Sequence, residues 1–88
     1  MKLIDTHAHF CYDEIANDLD NVIIRSIDAG ITGWVTIGTD ALHQQKTVDM
    51  VGRYDNMYAG LGIHPHHAKE TTAEDIETLK TLTKGPKV

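Results

Sequence analysis

Cysteine occurs once, proline twice, and tryptophan and phenylalanine once each among the 88 residues. The single thiol, Cys11, excludes an intrachain disulfide framework and agrees with a reducing compartment. No apolar run approaches the roughly 18 residues that mark a membrane-spanning helix, and the short run Met1 to Ile4, broken at Asp5, makes no secretory leader. The expectation is a cytoplasmic protein with no membrane partner. Positive charge is also scarce: 8 Lys and Arg against 13 Asp and Glu leave a net charge of −5. That balance argues against a broad basic surface gripping nucleic acid by neutralising many phosphates. A phosphodiester substrate stays open, because divalent ions in a cleft supply positive charge locally.

What is present is ordinary globular composition, 41% hydrophobic and 24% charged, in a chain long enough for one small domain. Apolar extended runs alternate with polar segments of helical spacing. The first strand is read over Lys2 to His9, and the first helix over Asp13 to Ala29. Ile15, Leu19, Val22, Ile23 and Ile27 recur there at steps of three and four, and Gly30 suits a left-handed helix end. A second strand, Gly33 to Ile37, is rich in β-branched and aromatic residues. It is followed by the turn Gly38-Thr39-Asp40, which can cap a helix over Ala41 to Arg53 with a weaker stripe of Ala41, Gln44, Val48 and Val51. A third strand, Met57 to Ile63, runs into an irregular loop held by Pro65. Thr72 and Asp75 resemble a capping box for a last helix with Ile76, Leu79 and Leu82 on its apolar face. Gly85-Pro86 ends that helix, and Lys87-Val88 reads as the first step of a fourth strand. Strands and helices alternating at this spacing imply parallel strands joined by right-handed crossovers, an α/β architecture.

Chemistry concentrates in histidine. If the first run is a strand, Asp5, His7 and His9 share one row, and the two imidazoles are carried about 6.6 Å apart at about 3.3 Å per residue. Both can then face one metal ion or neighbouring ions. Two histidines do not complete a catalytic site, which commonly has three protein ligands and an open position. His64, His66 and His67 follow the third strand, so both clusters lie at the carboxyl ends of strands, where βα loops gather functional groups in parallel folds.

Ile4-Asp5-Thr6-His7-Ala8-His9-Phe10, Gly30-Ile31 before strand two, Gly38-Thr39-Asp40 after it, and Gly60-Leu61-Gly62-Ile63-His64-Pro65-His66 together resemble the beginning of the TatD-type metal-dependent deoxyribonucleases of the amidohydrolase superfamily. The resemblance covers nearly the whole chain. It implies residues 1–88 as the first three βα units of a (β/α)8 TIM barrel of about 250 residues, whose rim holds one or two divalent ions (Zn, Mg or Mn) and hydrolyses DNA or another phosphodiester. His7 and His9 match the first two metal ligands of the family. His64, with His66, matches the Gly-x-His-Pro-His motif and implies a substrate-binding or auxiliary role, while Asp5 implies a partner that orients the ligands.

The remaining groups the resemblance implies, a glutamate after the fourth strand, two histidines and a late aspartate, would lie beyond Val88, so no catalytic residue is assigned within the chain. Weak or absent activity of the 88-residue chain alone is expected. Two alternatives accompany this reading: a non-catalytic metal-binding module built from His7, His9 and His64, and a truncated product that folds only by self-association or with a missing carboxy-terminal portion. His43 and His67 are expected to face solvent. Cys11 is expected to be a half-buried thiol rather than a ligand, Trp34 a packing residue, and Asp13, Glu14, Asp18 and Asp20 a solvated helix face.

Overall fold

A computed structural model describes residues 2–88, so Met1 of the opening run lies outside the described residues. The chain order is β1 (Leu3–Ala8), α1 (Asp13–Ala16), α2 (Leu19–Asp28), β2 (Ile31–Gly38), α3 (Ala41–Val51), β3 (Met57–Leu61), a 3-10 helix (Pro65–Glu70) and α4 (Ala73–Leu82). The three strands are parallel and lie side by side in the order β1-β2-β3. Each crossover carries helix, giving an open sheet consistent with the first βα units of a partial barrel.

Trp34, Thr36 and Gly38 of β2 alternate onto one face and are buried, as are Met57 and Ala59 of β3. They pack with Leu19 and Ile23 of α2 and Met50 and Val51 of α3 into one core. Trp34, only 4% exposed, is a packing residue as expected. Cys11 goes further than expected: it is fully buried, with its Sγ 3.6 Å from the Ile37 carbonyl. Val35 and Ile37 point to the opposite face and stay half-buried, and Tyr58 there is exposed.

The single helix expected over Asp13 to Ala29 is two. Asn17 closes α1, and Asp18, at φ −130° and ψ 27°, begins α2 while its carboxylate accepts a bond from the Asn21 amide at 2.7 Å. Short polar side chains that bond their own neighbourhood compete with helix continuation, which breaks the stripe between Ile15 and Leu19. Gly30 adopts the left-handed conformation anticipated for it, φ 101°, and its carbonyl receives the Leu3 N–H. Strand β2 runs longer than expected at both ends, and β3 ends at Leu61 rather than Ile63. The loop after it is a 3-10 helix, with Pro65 in its first turn. The Thr72–Asp75 capping box forms with both reciprocal bonds. At the chain end the Lys87 carbonyl receives the Ala59 N–H on the free side of β3, and the Lys87 ammonium donates to the carbonyls of Val51 and Tyr54.

Candidate metal centre and substrate cleft

Ala8 packs into the core, so its neighbours His7 and His9 project to the other side of the sheet. Their ring centroids are 5.0 Å apart at an interplanar angle of 72°. Asp5 does not continue their row. Asp5 lies beside Trp34 and Ala8 beside Thr36, so three steps along β1 cover two along β2, a bulge that breaks the strict alternation. Its cause is local. The Asp5 carboxylate accepts the His7 backbone N–H at 3.0 Å, drawing that donor away from the strand ladder. Asp5 therefore acts on the His7 main chain, whereas the sequence had suggested that it orients the ligands from within their row.

His7 is exposed and His9 half-buried. The Nδ1 of His9 is buried without a hydrogen-bond partner, which leaves Nε2 as the nitrogen the cleft can reach. Tyr12, a residue to which the sequence gave no role, stacks parallel to the His9 ring with an offset, at 5.4 Å between centroids and 6°.

The loops after β2 and β3 are tied together. Gly62 N–H donates to the Gly38 carbonyl at 3.1 Å, and His64 N–H to the Thr39 carbonyl at 2.9 Å. Gln44, fully buried on α3, donates its amide to the Gly62 carbonyl at 2.7 Å. Its place in the α3 stripe marked it as core, but nothing in the sequence marked its bond. A side chain at Gly38 would put Cβ 2.9 Å from the Gln44 Cα, so glycine is required for this approach. Held in this way, His64 accepts the His66 N–H on its Nδ1 at 3.1 Å and caps the 3-10 helix. The His64 and His66 rings lie 4.5 Å apart, and both residues are exposed.

His43 and His67 are not the solvent-facing residues expected; both are half-buried and converge on Asp40. His43 Nδ1 lies 2.7 Å from Oδ1 of Asp40, which also accepts the His43 N–H as the α3 cap. His67 Nε2 lies 3.7 Å from Oδ2. Burial by itself raises the Asp40 pKa. The bonds from the His43 backbone and ring, with the charges of His43 and His67, outweigh it and hold the carboxyl below its ordinary value.

His7, His9, Tyr12, His64, His66 and His67 thus line one cleft of about 510 Å³, floored by Gly38, Gly60 and Gly62. Among the described residues, no group of three or more His, Cys, Asp or Glu side chains is placed to hold an ion.

A sequence model described as TatD related DNase matches residues 4–88. The chain belongs to the TatD-related DNase family. TatD relatives of known name align over almost all of it. A protein named 3'-5' ssDNA/RNA exonuclease TatD, from Erwinia billingiae, is 37% identical over 98% of this chain and 33% of its own length. The counterpart of the same name from Erwinia amylovora is 34% identical, over 98% of this chain and 34% of its own length. An uncharacterized metal-dependent hydrolase, YabD of Bacillus subtilis, is 35% identical over the same shares. The chain spans about a third of the length of these relatives. No helix among the described residues is long and apolar enough to cross a membrane.

Proposed function

We propose that this chain forms the opening part, residues 1–88, of a TIM-barrel phosphodiesterase that cleaves DNA or RNA with the help of a divalent ion, and that His7 and His9 are its contribution to that ion. The observation that carries the reading is the placement of both imidazoles on the same cleft as His64 and His66. The nuclease names of the relatives give it a substrate class. The donors suit a divalent transition ion. Two imidazole rings 5.0 Å apart, one with its Nδ1 buried so that Nε2 is left for the cleft, are a fitting half of a nitrogen-rich coordination sphere.

When bound, such an ion polarises a phosphoryl oxygen and lowers the pKa of water. The chain's own residues bind and orient. Asp5 fixes the backbone from which His7 projects, and the Thr39–His64 and Gln44–Gly62 bonds hold His64 at the rim. The Nδ1 of His64 is engaged by the His66 N–H, so Nε2 is its free nitrogen for a substrate phosphate, with His66 beside it. Among the described residues no carboxylate lines the cleft, and the expected hydrolysis by these 88 residues alone is weak or absent. The Val35, Ile37 and Tyr58 face and the exposed Leu3 and Ile4 of β1 would be covered by further βα units or a second copy.

Titration with Zn²⁺ or Mn²⁺, followed through the histidine ring resonances, tests the ligand assignment. Binding should perturb His7 and His9 first, and His7→Ala or His9→Ala should abolish saturable binding. Undiminished binding by the double variant overturns it. Robust metal-dependent cleavage of single-stranded DNA by nuclease-free 88-residue chain would refute the incompleteness of the site.

A further inference from the structure

We propose that Tyr12 is the positioning residue for His9, holding the imidazole by a parallel, offset stack so that Nε2 is left to the cleft. A metal-binding histidine is usually oriented by a hydrogen bond from its other ring nitrogen to a carboxylate, carbonyl or water. His9 has no such bond: its Nδ1 is buried and unpartnered. Something else must set the plane of the ring, and the group in place is Tyr12, 5.4 Å away and within 6° of parallel.

Tyr12 is itself held. It precedes α1 in an extended conformation, φ −73° and ψ 139°, and makes no side-chain capping bond, so its ring is free to serve elsewhere. One side of it packs against the core. His43 meets it edge-on, at 5.1 Å and 89°, and His43 is fixed by the 2.7 Å bond to Asp40 at the start of α3. Asp40, His43, Tyr12 and His9 thus form a continuous buttress from the β2–α3 loop to the end of β1. His7, by contrast, is exposed, and its ring meets that of His9 at a steep angle, 72°. Aromatic pairs of this kind contribute beyond their buried area, enough to favour one rotamer by several-fold.

The proposal rests on His9 as a metal ligand for its purpose, while its geometry can be read without metal. In the metal-free 88-residue chain, side-chain couplings and Tyr12–His9 ring NOEs should report one His9 rotamer with ring-current-shifted imidazole protons. Tyr12→Phe should preserve both, because the stack uses the ring. Tyr12→Leu should average the rotamers and remove the shift while the backbone amide spectrum outside residues 7–16 stays in place. Rotamer averaging in the unsubstituted chain, or an unchanged rotamer in Tyr12→Leu, overturns the proposal without any variant needing to bind metal. In a Zn²⁺ titration of the same three proteins, Tyr12→Phe should match the parent and Tyr12→Leu should bind about tenfold more weakly. If Phe loses affinity as Leu does, the stack is not the operative contact. If the parent binds no zinc while the rotamer results hold, the ligand reading of His9 falls and the positioning role stands.

Discussion

Asp40 shows how much one side chain does in this site. It caps α3, holds His43 and draws His67 of the 3-10 helix toward the same carboxylate. Because its pKa is lowered on folding, the stability it contributes is fully present above the unfolded value of about 3.8. That stability is lost as pH falls through the lower folded value. Asp40→Asn keeps a capping oxygen but removes the charge, so its deficit in urea unfolding should shrink toward zero as pH falls below about 4. A deficit that grows on acidification would contradict the lowered pKa. Gln44 is the second such residue. Gln44→Leu leaves the half-buried Gly62 carbonyl without this partner and should cost about 1 kcal/mol, the low end for a polar group left unpaired. The loss should appear in denaturant midpoints together with amide shifts at Gly62, Ile63 and His64. Both residues were visible in the sequence, Asp40 as a cap and Gln44 as part of a helical stripe. Their remote partners were not, since His67 and Gly62 both lie in the segment that follows β3.

At the scale of elements, the divergences come from short polar side chains bonding locally. Asp18 interrupts the first helix, and Asp5 bulges β1. Periodicity located both elements but is blind to such bonds, because a stripe or an alternation is unchanged by what the intervening aspartates do. The bulge has a testable consequence. Asp5→Ala should release the His7 N–H and weaken Zn²⁺ binding by about 10-fold, the low end of what residues supporting metal ligands contribute. Its effect on stability should stay near 1 kcal/mol, because the residue is exposed. Affinity and stability falling in proportion would mean that Asp5 supports the strand as a whole rather than the His7 position. The Thr72–Asp75 capping box was legible because both of its bonds fall within four consecutive residues.

For the whole molecule, the feature that matters is a sheet with one face packed and the other half-open. Trp34, Met57 and Ala59 are buried beneath the helices, while Tyr58, Leu3 and Ile4 are 50%, 45% and 65% exposed. Apolar surface and a free β1 edge of this kind favour association. Sedimentation at increasing concentration should show the 88-residue chain passing from monomer to larger species, and Ile4→Lys on the edge should shift that transition to higher concentration. A strictly monomeric chain across the range would count against coverage of this face by a second copy. The single tryptophan, Trp34, reports the packed face through its fluorescence and should be insensitive to the same dilution.

By itself the sequence determined the alternation of strands and helices, the parallel topology, the family and the two histidine clusters at strand ends, because each is written in nearest-neighbour spacing and local motif. Only the tertiary structure decided that these clusters share one cleft, that the Gln44 amide reaches the Gly62 carbonyl, and that His67 turns inward to Asp40. Those are distances between residues brought together by sheet pairing and loop closure, and such distances depend on how the elements dock, which no local pattern encodes.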